Sequence, residues 1–497
     1  MNLLKKPSPD GTSRVAVLWT CATLIIGAAL ILASTPLAQA QSSGDSAQRY
    51  SSIIQYVFDS IQRRYVEEVD PKAIFEGAMN GMFNALGDPY SNFLPESDMV
   101  DLNDTTKGSF GGVGLYIVAG DLQSDGTMKY VEVAAPMEDT PGWRAGINPA
   151  DRIMMIDDKS TDGLTMDEVL ALLRGTPGQP VRVQIRRGEN LEFPVTIIRA
   201  VIEVPAVKFA MIGDTGYLKL LTFNPFTATR AREALRDFSS KNYKSLVLDL
   251  RNNYGGLLQS AVDVCDLFLD SGVVVSTRSR LPSENSVFSA KSPALVPAGI
   301  PVIVLINRGS ASASEIVAGA LKDRSRAYLV GEKTYGKGSV QQVYSLPLGD
   351  VGFKLTIARY YTPSNVNIDK IGIPPDREVK YPEFTEGDAE NLNNLLKSER
   401  IADYIKRNPN AGTQDIAGFA ETLHRDFNLD TQLLRRLIRN EQVRTVVAPV
   451  YDLEYDIQLQ EAINIFRNGS YSNLMKASKT LRVLQEEAAQ DEFAQAS

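Results

Sequence analysis

Histidine and cysteine are almost missing from this chain. Its 497 residues hold one histidine, His424, and two cysteines, Cys21 and Cys265. A Ser-His-Asp or Cys-His site needs histidine as its base. Here the lone candidate sits in ETLHRDF, a charged helical stretch far downstream of any serine cluster, where it reads as a surface residue. Zinc sites built on several His ligands or on a Cys cluster are excluded as well. Cys21 lies in an apolar N-terminal run and Cys265 in AVDVCDLFL, where it reads as a small buried hydrophobe. A mature chain with one thiol forms no internal disulfide, so an exported form depends on a packed core. Excess positive charge is lacking too: the net charge is −8 and the pI about 5.1. That excludes the basic stripe a nucleic-acid partner requires.

Long apolar runs are confined to one place. VAVLWTCATLIIGAALILA (15–33) follows Lys5, Lys6 and Arg14 and precedes Ala38-Gln39-Ala40. A basic start, an apolar stretch and a small-x-small site make 1–40 a signal peptide, or an anchor if it stays uncleaved. The expected location is therefore the periplasm or cell envelope. Residues 41–104 read as an N-terminal helical region (YSSIIQYVFDSIQRRYV, then PKAIFEGAMNGMFNAL), with GDPYSNFLP (87–95) as a turn cluster. Residues 105–202 read as a compact β-rich module with one short helix near 166–174, inserted between flanking strands. From 203 to 383 apolar strands alternate with helices: GYLKLLTF, TATRAREALRDFSS, SLVLDLRNN, LLQSAVDVCDLFLD, PVIVLI, EIVAGALKD, AYLVGE. This alternation predicts α/β layering. Residues 384–497 read as helical and charged, with a frayed end.

Three stretches could carry chemistry. GSASASEI (309–316) holds three serines between a strand and a helix. Ser312 and Glu315 have capping-box spacing, so on this stretch alone a helix cap and a nucleophile both stand. GEKTYGKGSV (331–340) fits the spacing of a phosphate loop, but Gly338 stands where Ser or Thr would bind magnesium, and a strand pattern follows instead of a helix. Nucleotide hydrolysis is thereby disfavoured. Lys337, flanked by glycines, is either a solvated turn lysine or a buried amine able to lose its charge and accept a proton. DLRNNYGGLL (249–258) ends a strand in two glycines, as a helix start or as N–H donors to an oxyanion.

Together these stretches resemble the carboxyl-terminal processing peptidases, the tail-specific serine proteases. The resemblance runs from about 49 to 384, with GSFGGVGLYI opening what is similar to that family's inserted PDZ domain. It implies a crotonase-like α/β protease core with an inserted β-rich PDZ domain and helical N- and C-terminal regions. It assigns Ser312 as nucleophile, Lys337 as base and Gln341 as the residue orienting the lysine; 337 and 341 are expected on one face of a strand. The backbone N–H groups of Ala313 and Gly255 would form the oxyanion hole. Gly112, Val113, Gly114 and Leu115 would hold a peptide's terminal carboxylate. Ser310 and Ser314 are left as structural. The implied partners are proteins with exposed C-terminal tails, an adaptor protein and further copies of the chain; the implied cofactor and metal content is none. A gated, weakly active resting state is also implied. The rival reading is a tail-binding scaffold on an inactive core. The chain departs from the family at Tyr254 (often proline), at Ala150 in Pro149-Ala150-Asp151 (usually P-G-D), and at SNVN (364–367), where glycine and arginine are common. Its C-terminal 110 or so residues match poorly, leaving an oligomer contact, a partner surface or a cap over the cleft.

Overall fold

The structure, a computed structural model, describes residues 43–120, 129–291, 293–347, 351–381, 386–443 and 450–496. The expected signal segment 1–40 and Cys21 lie outside them. The chain divides into two compact units, 1–87 and 88–497. The first holds two helices, Ser43–Arg64 and Pro71–Asn84. Pro71 opens the second, and the Asp70 carboxylate caps it by accepting the Lys72 N–H at 2.9 Å. Tyr50, Ile53, Ile54 and Val57 fall at helical spacing on the first helix and are exposed. Among the described residues no helix is long and apolar enough to cross a membrane.

At the centre of the second unit is a six-stranded sheet. Its order is Val207–Ile212, Thr215–Leu220, Ser245–Asp249, Val302–Ile306, Tyr328–Gly331, Arg377–Glu378. The first pair is antiparallel and the rest are parallel. The middle strands are apolar without alternation because both faces are covered. Leu246, Leu248, Val302, Val304 and Ile306 pack with helices Thr227–Ser240, Leu258–Cys265 and Ala313–Asp323. Val247, Ile303 and Leu305 face the other way, onto Leu459, Ala462, Ile463 and Ile465 of helix Ile457–Arg467. This part of the poorly matched C-terminal region thus supplies the second layer of the core. Residues 386–443 pack around a separate small core that includes Leu395, Ile416, Leu423 and Leu434.

A second, antiparallel sheet flanks the first: Asn92–Leu94, Gly352–Tyr361, Val273–Ser279 and Ser286–Ser289, with Ser339–Ser345 also paired to Gly352–Tyr361. The expected turn at 87–95 therefore contains a strand, because Asn92–Leu94 finds an open partner in Gly352–Lys354. Helix Leu481–Ala496 spans the segment where a frayed end is expected.

The inserted β-rich segment has its own sheet, Leu115–Ala119, Val131–Pro136, Arg152–Ile156, Pro180–Arg187 and Leu191–Ile198, around a core with Val131, Ile153, Val169, Val183 and Ile185. Helix Met166–Leu173 packs on it, capped by a reciprocal Thr165–Glu168 box. Entry and exit strands, Ser109–Gly112 and Ala200–Glu203, pair antiparallel, so the segment leaves and rejoins the chain at one place. Asp151, buried, accepts two bonds from Arg187 at 2.8 Å and one from the Asn148 N–H at 2.8 Å. That turn holds Ala150 at φ 65°, a conformation natural to the glycine the family usually has there. Asn365, in the SNVN departure, sits at φ 67°, which asparagine tolerates better. Ala150→Gly should therefore stabilise the inserted domain by about 1 kcal/mol, read from urea unfolding. An unchanged or lower midpoint would show that the turn is unstrained.

Candidate active site

Three adjacent parallel strands end side by side. Asp249 pairs with Leu305, and Ile306 with Gly331. Loops leaving the carboxyl ends of a parallel sheet converge on one crevice. Here they carry Gly255, Ser312 and Lys337.

Ser312 precedes helix Ala313–Asp323 with φ 55° and ψ −113°. A non-glycine residue there is strained, and such strain persists only where the surroundings enforce it. Only half of the expected capping box forms. The Glu315 carboxylate accepts the Ser312 N–H at 2.8 Å, while the Ser312 hydroxyl caps nothing. Ser310 and Ser314 are fully buried and tie the loop to its neighbour: Ser310 Oγ donates to Leu250 O and Ser314 Oγ to Asn253 O, at 2.8 and 2.7 Å.

Glu315 is the hub. It is fully buried and accepts four bonds: from Ser312 N–H, Thr334 Oγ1 (2.6 Å), Gly336 N–H (2.8 Å) and Lys337 N–H (2.9 Å). One oxygen, Oε2, holds the main chains of both Ser312 and Lys337. Burial pushes its carboxyl upward, and the four donors pull against that.

The half-buried Lys337 amine is lowered from the ordinary lysine range, first by burial and then by the charge of Lys354; Asp88 and Glu315 oppose this. Its Nζ lies 4.8 Å from the centre of the Tyr90 ring. Among the described residues no hydrogen bond joins it to the Ser312 hydroxyl. The expectation that 337 and 341 share a strand face is corrected. The strand begins at Ser339, and a bulge between Val340 and Gln341 breaks the alternation. Gln341 Nε2 instead donates to Ser339 Oγ (2.9 Å) and Thr356 Oγ1 (3.2 Å).

Gly255, at φ 104°, lies so close that an added Cβ would come within 2.8 Å of Ser312 Cβ and 3.0 Å of Ala313 N. The Ala313 N–H has no partner among the described residues, whereas the Gly255 N–H donates to Asn253 Oδ1 at 2.9 Å. In the inserted domain, carbonyls of the Gly112–Leu115 stretch are pinned. Gly142 N–H reaches Val113 O at 2.7 Å, and Met137 N–H and Thr140 Oγ1 reach Gly114 O at 2.9 and 3.0 Å. The N–H groups of Val113 and Gly114 have no partner among the described residues.

Residues 214–379 match the model of peptidase family S41, 132–187 that of a PDZ domain, and 24–97 that of the activating protease CtpB N-terminal domain. The carboxy-terminal-processing protease of Bartonella bacilliformis is 39% identical over 374 residues, covering 74% of this chain and 83% of the relative. The chain belongs to the carboxy-terminal-processing proteases. Similar too is the carboxy-terminal processing protease CtpA of Bacillus subtilis, 30% identical over 365 residues, 73% of this chain and 76% of the relative. A solved structure of a photosystem II D1 C-terminal processing protease is 32% identical, covering 68% of this chain and 90% of that one, with a TM-score of 0.39.

The protein is thus a serine-type endopeptidase with the S41 fold and a PDZ domain. Several residues of the protease's crevice escaped the sequence reading. Glu315 was read as a cap and not as a bridge to Lys337. The buried Tyr360 hydroxyl donates to Lys337 O and lies beside the Ser312 hydroxyl. Arg251, in the loop that carries Gly255, is gripped by Asp249 and, from the C-terminal region, by both carboxylate oxygens of Asp456 (2.7 and 2.6 Å) and by Gln458 (3.0 Å). Although burial pulls Asp249 up, the Arg251 charge holds its carboxyl below the usual range. Only the S-x-x-E spacing hinted at any of these. Glu315→Gln leaves an amide facing four donors, and should cost about 2–4 kcal/mol of stability and at least about a hundredfold in kcat. Turnover near that of the native enzyme would show that the bridge is dispensable.

Proposed function

We propose that this chain is an exported endopeptidase that takes protein C-terminal tails in its PDZ domain and cuts substrates through a Ser312–Lys337 dyad. The observation carrying the reading is the single Glu315 oxygen that holds the backbones of both residues. Ser312 Oγ attacks the peptide carbonyl as neutral Lys337 takes its proton. Lys337 then protonates the leaving amine, and water, activated by the same lysine, releases the acyl-enzyme. The free Ala313 N–H donates to the oxyanion. Gly255 adds the second donor once its N–H leaves Asn253, and Gln341 orients the lysine after turning from Ser339 and Thr356. Those present commitments support a gated resting state. The unpartnered N–H groups of Val113 and Gly114, with Gly112 and Leu115 on either side, suit a tail carboxylate. Export, to the periplasm or cell envelope, is supported by residues 1–40. The exposed stripe Tyr50, Ile53, Ile54, Val57 supports self-association through further copies. An adaptor protein is a further candidate partner.

An unfolded reporter with an apolar C-terminal tail tests this reading. Cleavage should vanish in Ser312→Ala and Lys337→Ala, and should drop when the tail's last residues become Asp. An active Lys337→Ala enzyme would remove the dyad. Because burial lowers the Lys337 amine, its neutral, base-competent fraction grows as pH rises, with a midpoint below the usual lysine range. Activity should climb accordingly, and a flat profile from acid to alkaline pH would contradict a lysine base. In Gly114→Ala, the new methyl would meet the Thr140 side chain at 2.3 Å at a φ of 75°. Binding of a tail peptide should fall at least about tenfold, and unchanged affinity would exclude this loop.

A further inference from the structure

We propose that Tyr90 is a positioning residue for the catalytic base: the face of its ring is the resting seat of the Lys337 ammonium. This rests on the Ser312–Lys337 reading. The amine lies 4.8 Å from the ring centre, inside the range of about 6 Å at which a cation is attracted to an aromatic face.

The backbone that carries the ring is held from several sides. Asn92 pairs with Lys354 on the strand Gly352–Tyr361. The buried Ser91 hydroxyl accepts the Thr356 N–H at 2.9 Å and donates to Asp88 Oδ2 at 2.6 Å. The other Asp88 oxygen accepts the Tyr90 N–H at 3.1 Å. The same strand carries Tyr360, whose hydroxyl binds Lys337 O. The backbones of Tyr90 and Lys337 are therefore referenced to one strand, which sets the two side chains against each other.

The charges around the amine make that contact matter. Burial and Lys354 favour a neutral amine; Asp88 and Glu315 favour a charged one. Tyr90 itself stays protonated, its phenol pushed up to about 12 by burial and by the neighbouring Tyr335 hydroxyl, with Asp369 and Asp88 adding to the shift. It therefore offers Lys337 a neutral ring face, which attracts only the ammonium form. On the ring, the lysine is kept protonated and without a bond to Ser312. Off the ring, the amine loses that attraction for its charged form and becomes better able to accept the serine proton. The segment read from sequence as a turn thus supplies a restraint on the base.

The test is the pH dependence of kcat/KM, which reports the free enzyme. It compares wild type, Tyr90→Phe, Tyr90→Leu and Tyr90→Met on the tailed reporter, with Lys337→Ala alongside and the acylated fraction counted by a fluorophosphonate probe. Tyr90→Phe keeps the ring face and should leave the rising limb at the wild-type pH. Tyr90→Leu should move it about one pH unit lower, and Tyr90→Met should do the same if the leucine variant folds poorly. A purely structural role would reduce the acylated fraction without moving the limb. An unmoved limb in the folded non-aromatic variants, with Lys337→Ala inactive, overturns this inference and leaves the dyad standing. An active Lys337→Ala overturns both.

Discussion

A single buried carboxylate organises the crevice. Glu315 sits one helical turn after the nucleophile candidate and accepts main-chain bonds from both Ser312 and Lys337. Burying a carboxylate is costly unless hydrogen bonds replace its water, and four donors do so here. The cost is also what gives the contact its grip, because any displacement of either loop would leave a charge unsatisfied in a dry site. The strained φ of Ser312 is tolerated for the same reason: its N–H is captured at one end and Ser310 and Ser314 anchor the loop at the other.

The loops reach that carboxylate because of how the sheet is built. Parallel neighbours release their chains at the same edge, so Asp249, Ile306 and Gly331 deliver three loops to one place. Gly331 lets its chain pass Ile306 O, where a Cβ would clash at 2.1 Å. The far face of the sheet is covered by helix Ile457–Arg467, and Asp456 at its start reaches Arg251. The C-terminal segment is thereby tied, through the Arg251–Asp456 ion pair, to the loop that carries Gly255, and Asp249 holds the same arginine from the sheet.

Backbone and side chains differ in readiness. The main chains of Ser312 and Lys337 are held by Glu315, whereas groups that the proposed mechanism uses are engaged elsewhere: the Lys337 side chain with Tyr90, the Gln341 side chain with Ser339 and Thr356, and one backbone group, the Gly255 N–H, with Asn253. Such an arrangement is what the proposed gated resting state requires.

What the sequence determined by itself is local. Apolar β-branched runs, glycines at tight passages and the S-x-x-E spacing are constraints a residue imposes on its own neighbourhood, so PVIVLI, GSASASEI and GEKTYGKGS were legible as strand, serine loop and lysine loop. The family resemblance rests on DLRNNYGG, GSASASEI, GEKTYGKGSVQ and GSFGGVGLYI. Gln341's face was misjudged because a bulge is a property of two strands together, not of one. Only the tertiary structure decided the rest. Glu315 meets a lysine 22 residues away, Arg251 meets an aspartate 205 residues away, and Tyr90 meets Lys337 through a strand pairing that its turn-like sequence does not announce. Contacts of that kind depend on which chain segments the sheet brings to one edge, and strand order leaves no local mark on the residues it joins.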